Sequence, residues 1–480
     1  MTFIKQKDLV KISDYIWEIP KSFRKDMKVP ARIFASKKML AELLDEESTS
    51  IWQLVNLTTL PGVYKYSLAM PDIHSGYGSP VGGVVAFLKE EGIVSPGICG
   101  YDVNCGVRLL VSPFYYEEIK EKIPKLTEQI YKEVPSGVGE GGFWRLNNDE
   151  MNKVLSEGSK WLYEIGYAEK DDLEATESYG KFENADPNKV SKTAKDRGRD
   201  QLGTIGAGNH FVEIQKVAEI FDEKIAKKLG LEKNKITIMI HCGSRGLGHQ
   251  VATDYIREAL TYLYRRNIDL VDRELAYFPY ETEKGQDYFS AMKAAANFAF
   301  ANRQLIVYEI RKAFKKVFSK DVDLKQVYDV AHNIIKEETY DGKRLLVHRK
   351  GATRAFPKDN PELPQKYQEF GQPTLIPGSM GTSSYILIGQ PLAMDISFGS
   401  SPHGAGRMMS RTEAKKKIKG SELKKELIER GISVAAGSML GLAEEAPAAY
   451  KDVMQVVEVV CNIGIAKKLA QLLPLGVIKG

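Results

Sequence analysis

Short apolar runs that end in glycine-rich turns recur along the whole chain, a pattern that predicts buried strands. Five such runs lie at Val81–Leu88, 108–111, 236–240, 345–347 and 385–388. Amphipathic stretches that predict helices lie between them, at 250–265, 287–318, 411–430 and 447–473. Because strands and helices mix without a strict strand–helix–strand rhythm, we predict an α+β fold with mixed β-sheets and surrounding helices.

Composition restricts the class of protein only loosely. Lys plus Arg exceed Asp plus Glu by 68 to 63, so the net charge of +5 permits an acidic partner without requiring one. The first thirty residues contain no apolar core of a signal peptide, and no run reaches the roughly 18 apolar residues of a membrane span. The four cysteines are too scattered for a disulfide framework. We therefore expect a cytoplasmic protein with no membrane association.

Histidines stand out by their neighbours. Six of the seven lie within three residues of a glycine, where composition alone would place roughly four in ten. Glycines let the backbone and a ligand approach closely, so imidazoles on such turns suit a metal or phosphoryl site.

Two glycine-bounded segments carry mixed ligand types. Asp102 and Cys105 are three residues apart within 100–106, where a carboxylate and a thiolate can converge on one cation. An ordinary turn with an inert cysteine explains that segment alone better. The loop 203–213 carries Asn209, His210 and Glu213 after its glycines, and its amides can cradle a phosphate; a binding loop and a plain turn are about equally supported.

Two apolar strands end on histidines, His241 and His332, followed by Arg245 and Asn333. Strand ends often carry catalytic groups, although either histidine alone is better explained as a core or turn residue. The turn at 376–382 can wrap a nucleotide phosphate or be a simple hairpin. The segment 401–407 presents His403 as a candidate nucleophile toward phosphorus.

Seven segments together closely resemble the signature blocks of the RtcB family of RNA-splicing ligases. In family order they are GYDVNCGVR, GAGNHFVEIQ, IHCGSRGLGHQ, AHNI, HRKGATRAF, PGSMGTSSY and SPHGAGR, and the resemblance extends from about residue 71 to 479. It implies an RNA ligase that depends on GTP and manganese, with tRNA halves as substrates, a possible role in RNA repair, and an archease-like activating partner.

The resemblance also implies residue roles. Asp102, Cys105 and His210 would hold one manganese ion, and Cys105, His241 and His332 a second. His403 would attack the α-phosphate of GTP and carry GMP. The implied nucleotide contacts are Asn209, His210, Phe211, Glu213, His332, Asn333, Pro377, Gly378, Ser379, Met380, Ser384, His403, Gly404, Ala405, Gly406, Tyr450 and Lys479. Candidates for the RNA phosphates are Arg197, Arg199, Arg245, Arg407 and Arg411.

Three expectations follow. A thiolate with imidazoles favours zinc by softness, so manganese rests on the resemblance and zinc is an expected competitor. The implied site draws on segments from Asp102 to Lys479, so we expect one interwoven catalytic domain over 1–480, although length alone suggests roughly three domains. Within that domain we expect a surface excursion or a helical insertion at about 167–199. The alternatives are a metal-dependent RNA phosphodiesterase without a covalent intermediate, and a non-catalytic RNA-binding protein.

Overall fold

Two large mixed sheets carry the fold in a computed structural model that describes residues 4–45 and 49–480. The strands are β1 Val10–Ser13, β2 Ile16–Ile19, β3 Ala31–Phe34, β4 Val63–His74, β5 Val81–Leu88, β6 Ile93–Val94, β7 Gly106–Tyr115, β8 Phe211–Ile220, β9 Lys235–Cys242, β10 Phe278–Pro279, β11 Lys325–Ala331, β12 Asn333–Tyr340, β13 Lys343–Lys350, β14 Ala352–Arg354, β15 Pro373–Ile376, β16 Ser384–Gly389, β17 Ser400–Pro402, β18 Ser433–Ala436 and β19 Ala466–Lys479.

The helices surround these sheets. They are α1 Lys37–Asp45, α2 Ser50–Leu57, α3 Pro96–Cys99, α4 Tyr116–Ile119, α5 Ile123–Glu133, α6 Asn148–Glu157, α7 Ser159–Glu164, α8 Lys170–Glu174, α9 Lys192–Gly198, α10 Glu223–Lys228, α11 Arg245–Tyr264, α12 Glu283–Phe318, α13 Gln365–Gln368, α14 Leu392–Ile396, α15 Arg411–Lys417, α16 Gly420–Glu429, α17 Met439–Glu444 and α18 Val453–Ile463.

The two large sheets combine antiparallel and parallel pairs. One has the order β1-β2-β3-β4-β5-β13-β12, and the other runs β11-β7-β9-β8-β19-β16-β15 with β18 beside β19. Most neighbours are antiparallel, whereas β3 with β4 and β18 with β19 are parallel. Together with the helices, these sheets confirm the predicted α+β class.

The predicted strands are all confirmed, and two helices, α11 and α12, lie where the amphipathic pattern put them. The prediction of one helix over 411–430 was wrong. The chain is extended at residues 418–419 between α15 and α16. Gly420 packs against the backbone of Met439 there, where a Cβ atom would lie 2.0 Å from its carbonyl oxygen.

The predicted helix over 447–473 was also partly wrong. Helix α18 ends at Ile463, and the left-handed Gly464 redirects the chain into β19. Residues 466–473 then pair with β16 and β8, and this pairing decides their conformation.

Helix α12 is 36 residues long, and most of its residues are buried. The Thr282 hydroxyl caps its first turn by accepting a hydrogen bond from the Gly285 amide. Its middle carries buried polar side chains at Asn302, Arg303 and Gln304, each hydrogen-bonded. These polar residues interrupt what would otherwise be a long apolar helix, and along the described ranges the chain holds no helix apolar enough to cross a bilayer.

The segment 167–199 contains α8, α9 and two short 3₁₀ helices. Asp172 in this segment is buried and receives two hydrogen bonds of 2.8 Å from Arg311 of α12. Glu177 is also buried and accepts a hydrogen bond of 3.0 Å from the Ala331 amide at the end of β11. Part of this polar segment is therefore anchored to the core. Residues 1–3 of the N-terminal segment considered for a signal peptide lie outside the described residues.

Candidate functional site

One edge of the eight-stranded sheet gathers the chemically active side chains. In this sheet β7 and β8 begin where the antiparallel β9 and β11 end, so four chain segments meet at the same edge. The register pairs His241 with Val107 and with Phe211, and Ala331 with Gly106. Side chains that are far apart in sequence thereby become neighbours.

Two groups of potential metal ligands share this edge. Cys105, His241 and His332 form one group and Asp102, Cys105 and His210 the other, and within each group the ligand atoms lie within 4.8 Å of one another. The Cys105 Sγ atom is 3.3 Å from the Nε2 atoms of both His210 and His241. His210 Nε2 lies 2.8 Å from Asp102 Oδ2, and the Nε2 atoms of His241 and His332 are 3.2 Å apart. Cys105 therefore stands between two candidate cation positions.

Backbone contacts hold the Asp102–Cys105 turn in place. The His332 amide donates to the Cys105 carbonyl at 2.9 Å, and the Asn104 amide donates to the Asn333 carbonyl at 2.7 Å. Asp102 Oδ1 accepts from the Ser244 amide at 3.0 Å. These bonds join the start of β7 to the ends of β9 and β11.

The fully buried guanidinium group of Arg303 hydrogen-bonds to the same turn. Arg303 of α12 donates to the carbonyl oxygens of Asn104 and Cys242 at 2.8 and 2.9 Å. It also forms two bonds of 2.8 Å with Asp329, which Arg108 contacts at 2.6 Å. Asn302 adds a bond of 3.1 Å to the carbonyl of Gly243. Because these charges are paired inside the core, the ligand groups rest on a rigid base.

Burial and neighbouring charges shift the pKa values of the cluster in different directions. It holds the pKa values of His241 and His332 well below the usual range, with nearby histidines adding to the effect, so both imidazoles are neutral. Burial opposes ionisation of Asp102, but His210 holds its pKa below the ordinary value. Burial and Asp102 raise the pKa of Cys105 to about 12. Cation binding to Cys105 would then displace a proton, which makes affinity depend on pH.

His403 lies beside this cluster with one ring nitrogen engaged. Its Nδ1 atom is 2.6 Å from Asp72 Oδ2, and its backbone amide donates to the same oxygen at 3.1 Å. The His403 and His332 ring centroids are 4.9 Å apart. Gly406 makes the close approach possible, because a Cβ atom there would lie 2.2 Å from the Asp72 carbonyl oxygen. In a neutral ring, a carboxylate on Nδ1 favours the tautomer in which Nε2 keeps its lone pair.

A single cavity contains most of the sequence-predicted residues. Its lining joins the ligands Asp102, Cys105, His241 and His332 to His403. The other predicted residues in the lining are Asn209, Phe211, Glu213, Asn333, Pro377, Gly378, Ser379, Met380, Gly404, Ala405, Gly406, Arg407, Arg411, Tyr450 and Lys479. His210 and Ser384 lie just behind this wall: His210 contacts Asp102, and Ser384 accepts from the Gly378 amide at 3.1 Å.

Two lining residues already have protein partners. The Asn333 side chain donates to the Asp102 carbonyl and accepts from the Gly351 amide, so it braces the loops. Lys479 donates to the carbonyls of Gly208 and His210 at 2.7 and 3.2 Å. Both therefore shape the cavity wall.

Glu213 is a buried acid at the inner end of the cavity. Burial raises its pKa to about 8, although Gln215 and Lys479 oppose the shift. Gln215 donates to Glu213 at 2.5 Å and to Ser384 at 3.1 Å. Glu213 is thus a hydrogen-bonding group in the cavity lining with little exposure to solvent.

The predicted arginines fall into three groups. Arg407 and Arg411 line the cavity and both contact Glu445, at 3.2 and 3.3 Å. Arg245 lies outside it, against the Gly-rich loop, where its guanidinium occupies the space that a Cβ on Gly206 would fill. The remaining pair, on and beside α9, consists of an exposed Arg197 and a half-buried Arg199 bonded to the Leu146 carbonyl.

The structure also places in the site residues that sequence reasoning missed, namely Asp72, His74, Lys350 and Glu445. A usable signal existed for two of them. Asp72 and His74 precede a glycine-rich turn at the end of an apolar stretch, which is the pattern that selected the other histidines. Burial lowers the pKa of His74 to about 3, so it lines the wall as a neutral ring. Glu445 carried no local signal.

Comparisons with known proteins identify the family to which this sequence is similar. The family model described as tRNA-splicing ligase RtcB matches residues 53–480. A protein of Nanoarchaeum equitans named tRNA-splicing ligase RtcB is 51% identical over 480 residues, covering 98% of this chain and 99% of that protein. One from Thermococcus kodakarensis with the same name is 49% identical, with the same coverage. An RNA-splicing ligase RtcB homolog 1 of Entamoeba histolytica is 45% identical, covering 96% and 91%.

Proposed function

The chain belongs to the RtcB family of tRNA-splicing ligases, and from this premise we propose that it uses GTP and manganese to join RNA ends through a histidine–GMP intermediate. The ends would be a 2',3'-cyclic phosphate or 3'-phosphate and a 5'-hydroxyl. The observation that carries the proposal is His403, which is oriented by Asp72 and lies beside two groups of potential metal ligands in one cavity.

The donor set fits divalent cations. Each group supplies three ligand atoms of the Cys, His and Asp types, and two of the imidazoles are held neutral by burial. Bound cations would neutralise the triphosphate and orient it for displacement. By softness these donors also suit zinc, so we expect zinc to compete with manganese.

His403 would act as the nucleophile. Its Nε2 lone pair would attack the α-phosphorus of GTP, the bond to the β-phosphate oxygen would break, and pyrophosphate would leave. Asp72 stabilises the positive charge that develops on the ring, since its carboxylate accepts from Nδ1. Water would first open a 2',3'-cyclic phosphate to a 3'-phosphate. That phosphate would take the GMP from His403, and a 5'-hydroxyl would then attack the activated 3'-phosphate and release GMP.

Glu213 would select guanine. Its carboxylate can accept hydrogen bonds from N1–H and the N2 amino group of guanine, which adenine cannot supply at those positions. A buried acceptor left unpaired costs about 1–3 kcal/mol, which is enough to favour GTP over ATP. The high pKa in the free protein means that guanine binding would also draw a proton off this group.

The substrates would be tRNA halves, with repair of other broken RNA as a further use and an archease-like protein as activator. The rival function, a metal-dependent phosphodiesterase, needs no covalent intermediate and leaves the contact between His403 and Asp72 without a role.

Incubation with manganese and α-labelled GTP tests the proposal. Label that stays on the denatured protein, maps to His403 by mass spectrometry and disappears in His403→Ala supports the ligase mechanism. Label that does not stay on the protein after denaturation in alkaline detergent, where a histidine phosphoramidate is stable, or that persists in His403→Ala, contradicts it. The exposed His249 provides the matched control, because His249→Ala should keep the adduct.

A further inference from the structure

Three aromatic rings contact one another beside the cavity, and one of them, Tyr101, lines it. The Tyr101 and His249 rings are stacked, with centroids 4.7 Å apart and planes inclined by 24°. Tyr77 meets Tyr101 edge-on, with ring centroids 5.1 Å apart. We refer to Tyr77, Tyr101 and His249 as the aromatic rim.

The aromatic rim is directly connected to the chemical centre. Tyr101 lines the cavity and immediately precedes the ligand Asp102. His249 lies on α11 four residues after Arg245, the first residue of that helix. A chain leaving the cavity over Tyr101 would therefore meet an aromatic surface near the start of α11.

In the aromatic rim, hydrogen bonds hold the loop that carries Tyr77, and the His249 ring is exposed to solvent. Lys350 donates to the carbonyl oxygens of Tyr77, Ser79 and Gly97, which fixes the loop that carries Tyr77. Tyr77 and Tyr101 are half-buried, whereas His249 is exposed. Within the described part of the chain, the His249 ring contacts Tyr101 on one face and forms no hydrogen bond.

An exposed ring that is already stacked on a second aromatic side chain can offer its other π-face to a ligand. Such a ring loses little conformational entropy when the ligand binds. Single-stranded RNA is recognised in this way, with splayed bases stacking on aromatic side chains beside cationic groups that hold the phosphates. A guanine of GTP has a separate place at Glu213, so the rim is available to the second substrate.

We propose that the aromatic rim binds a nucleobase of the RNA, within two nucleotides of the ends being joined, by stacking on His249. The inference rests on the proposed ligase function and deepens it by assigning a subsite for the RNA base. Since every base has a π-face, such a subsite holds RNA with little sequence preference, as a ligase for varied broken ends requires.

Ligation kinetics of His249→Ala and His249→Phe test the subsite. We expect the apparent KM for RNA to rise by about tenfold in the alanine variant and to return near the wild-type value with phenylalanine, which restores the stack. Labelling of the protein by GTP should be unchanged in both. Tyr264→Ala is the control, because Tyr264 is an exposed aromatic residue at the far end of the same helix.

Abasic RNA separates stacking from a structural effect. One set of substrates lacks the base at the last or next-to-last nucleotide of the 3' strand, and a second set lacks it at the first or second nucleotide of the 5' strand. The wild-type protein should be penalised by one set, and that set identifies which strand crosses the rim. The same abasic site should add little penalty in His249→Ala.

Two results would overturn the proposal. One is an unchanged KM for RNA in a folded His249→Ala variant, because the proposal places the base on that ring. The other is an equal abasic penalty in wild type and His249→Ala. Loss of GTP labelling in all proteins, including wild type, would instead refute the ligase function itself.

Discussion

Replacing Asp72 with asparagine tests the orientation of His403. The Asp72 Oδ2 atom accepts from the His403 ring at 2.6 Å and from its backbone amide at 3.1 Å, and the Asp72 side chain is fully buried. Asparagine keeps the size and one acceptor oxygen but removes the negative charge. Because the backbone N–H of His403 still requires an acceptor, the amide oxygen rather than its NH₂ group should face the ring, and the tautomer is preserved.

The expected loss follows from the charge alone. A hydrogen bond to an ionised group contributes about 1.5–3 kcal/mol, against about 0.5–1.5 kcal/mol for a neutral pair. The difference of about 1–2 kcal/mol corresponds to a roughly 5- to 30-fold slower transfer of GMP to His403. Asp72→Ala also leaves the backbone amide unpaired and the ring free to rotate, so its loss should exceed about 100-fold.

Single-turnover labelling with α-labelled GTP measures this rate directly. Asp341→Asn is a matched control, since Asp341 is an exposed acid paired with Lys65. Manganese affinity should not change in Asp72→Asn, because Asp72 belongs to neither ligand group. A wild-type labelling rate in Asp72→Asn, or equal losses in Asp72→Asn and Asp72→Ala, would refute the argument.

Three further predictions concern the cluster and its support. Cys105→Ser should weaken manganese binding at both cation positions, because Cys105 belongs to both ligand groups, whereas His332→Ala should weaken binding at one position. Calorimetric titration with manganese would show the loss of two sites in the first variant and of one site in the second. Loss of a single site in both variants would contradict a shared thiolate. Arg303→Met should lower the free energy of unfolding, measured by chemical denaturation, by about 3 kcal/mol. This value is near the low end of the cost of breaking a buried ion pair, because Arg108 still contacts Asp329. A change below about 1 kcal/mol would show that stability does not depend on the pair between Arg303 and Asp329. GTP affinity should rise as the pH increases toward 8, by up to about tenfold per pH unit. The reason is that the raised pKa keeps the Glu213 carboxyl protonated at neutral pH, whereas guanine binding requires the anion. The Glu213→Gln variant should bind GTP weakly at every pH and should not show this dependence. The same shift has an opposite effect on folding: between about pH 4.5 and 8 the unfolded carboxyl ionises while the folded one keeps its proton, so this group's contribution to stability falls as pH rises and is constant above 8.

Much of the architecture could be predicted because it is encoded locally. Apolar runs and helical periodicity identified five of the strands and the two long helices, since side-chain period depends only on neighbouring residues. Glycine-bounded turns also contain Asp102, Cys105 and His210, but their proposed role as metal ligands came from the family resemblance. The order of strands that brings these segments to one edge was not visible, because it depends on pairings between distant parts of the chain.

Local pattern failed where tertiary contacts competed with it. Residues 466–473 have an amphipathic composition compatible with a helix, yet they lie in β19 because β16 pairs with residues 466–472 and β8 pairs with β19 from residue 470 onward. Glu445 carried no motif, but folding places it among Arg407, Arg411 and Tyr450.

The sequence by itself determined which residue types can do chemistry here: a cysteine, three histidines and an aspartate on turns, and His403 between a proline and a glycine. Only the tertiary structure decided which nitrogen of His403 is free. Its orienting carboxylate, Asp72, lies 331 residues earlier in the chain. Contacts across such distances depend on how whole sheets pack, and a local sequence pattern carries no record of them.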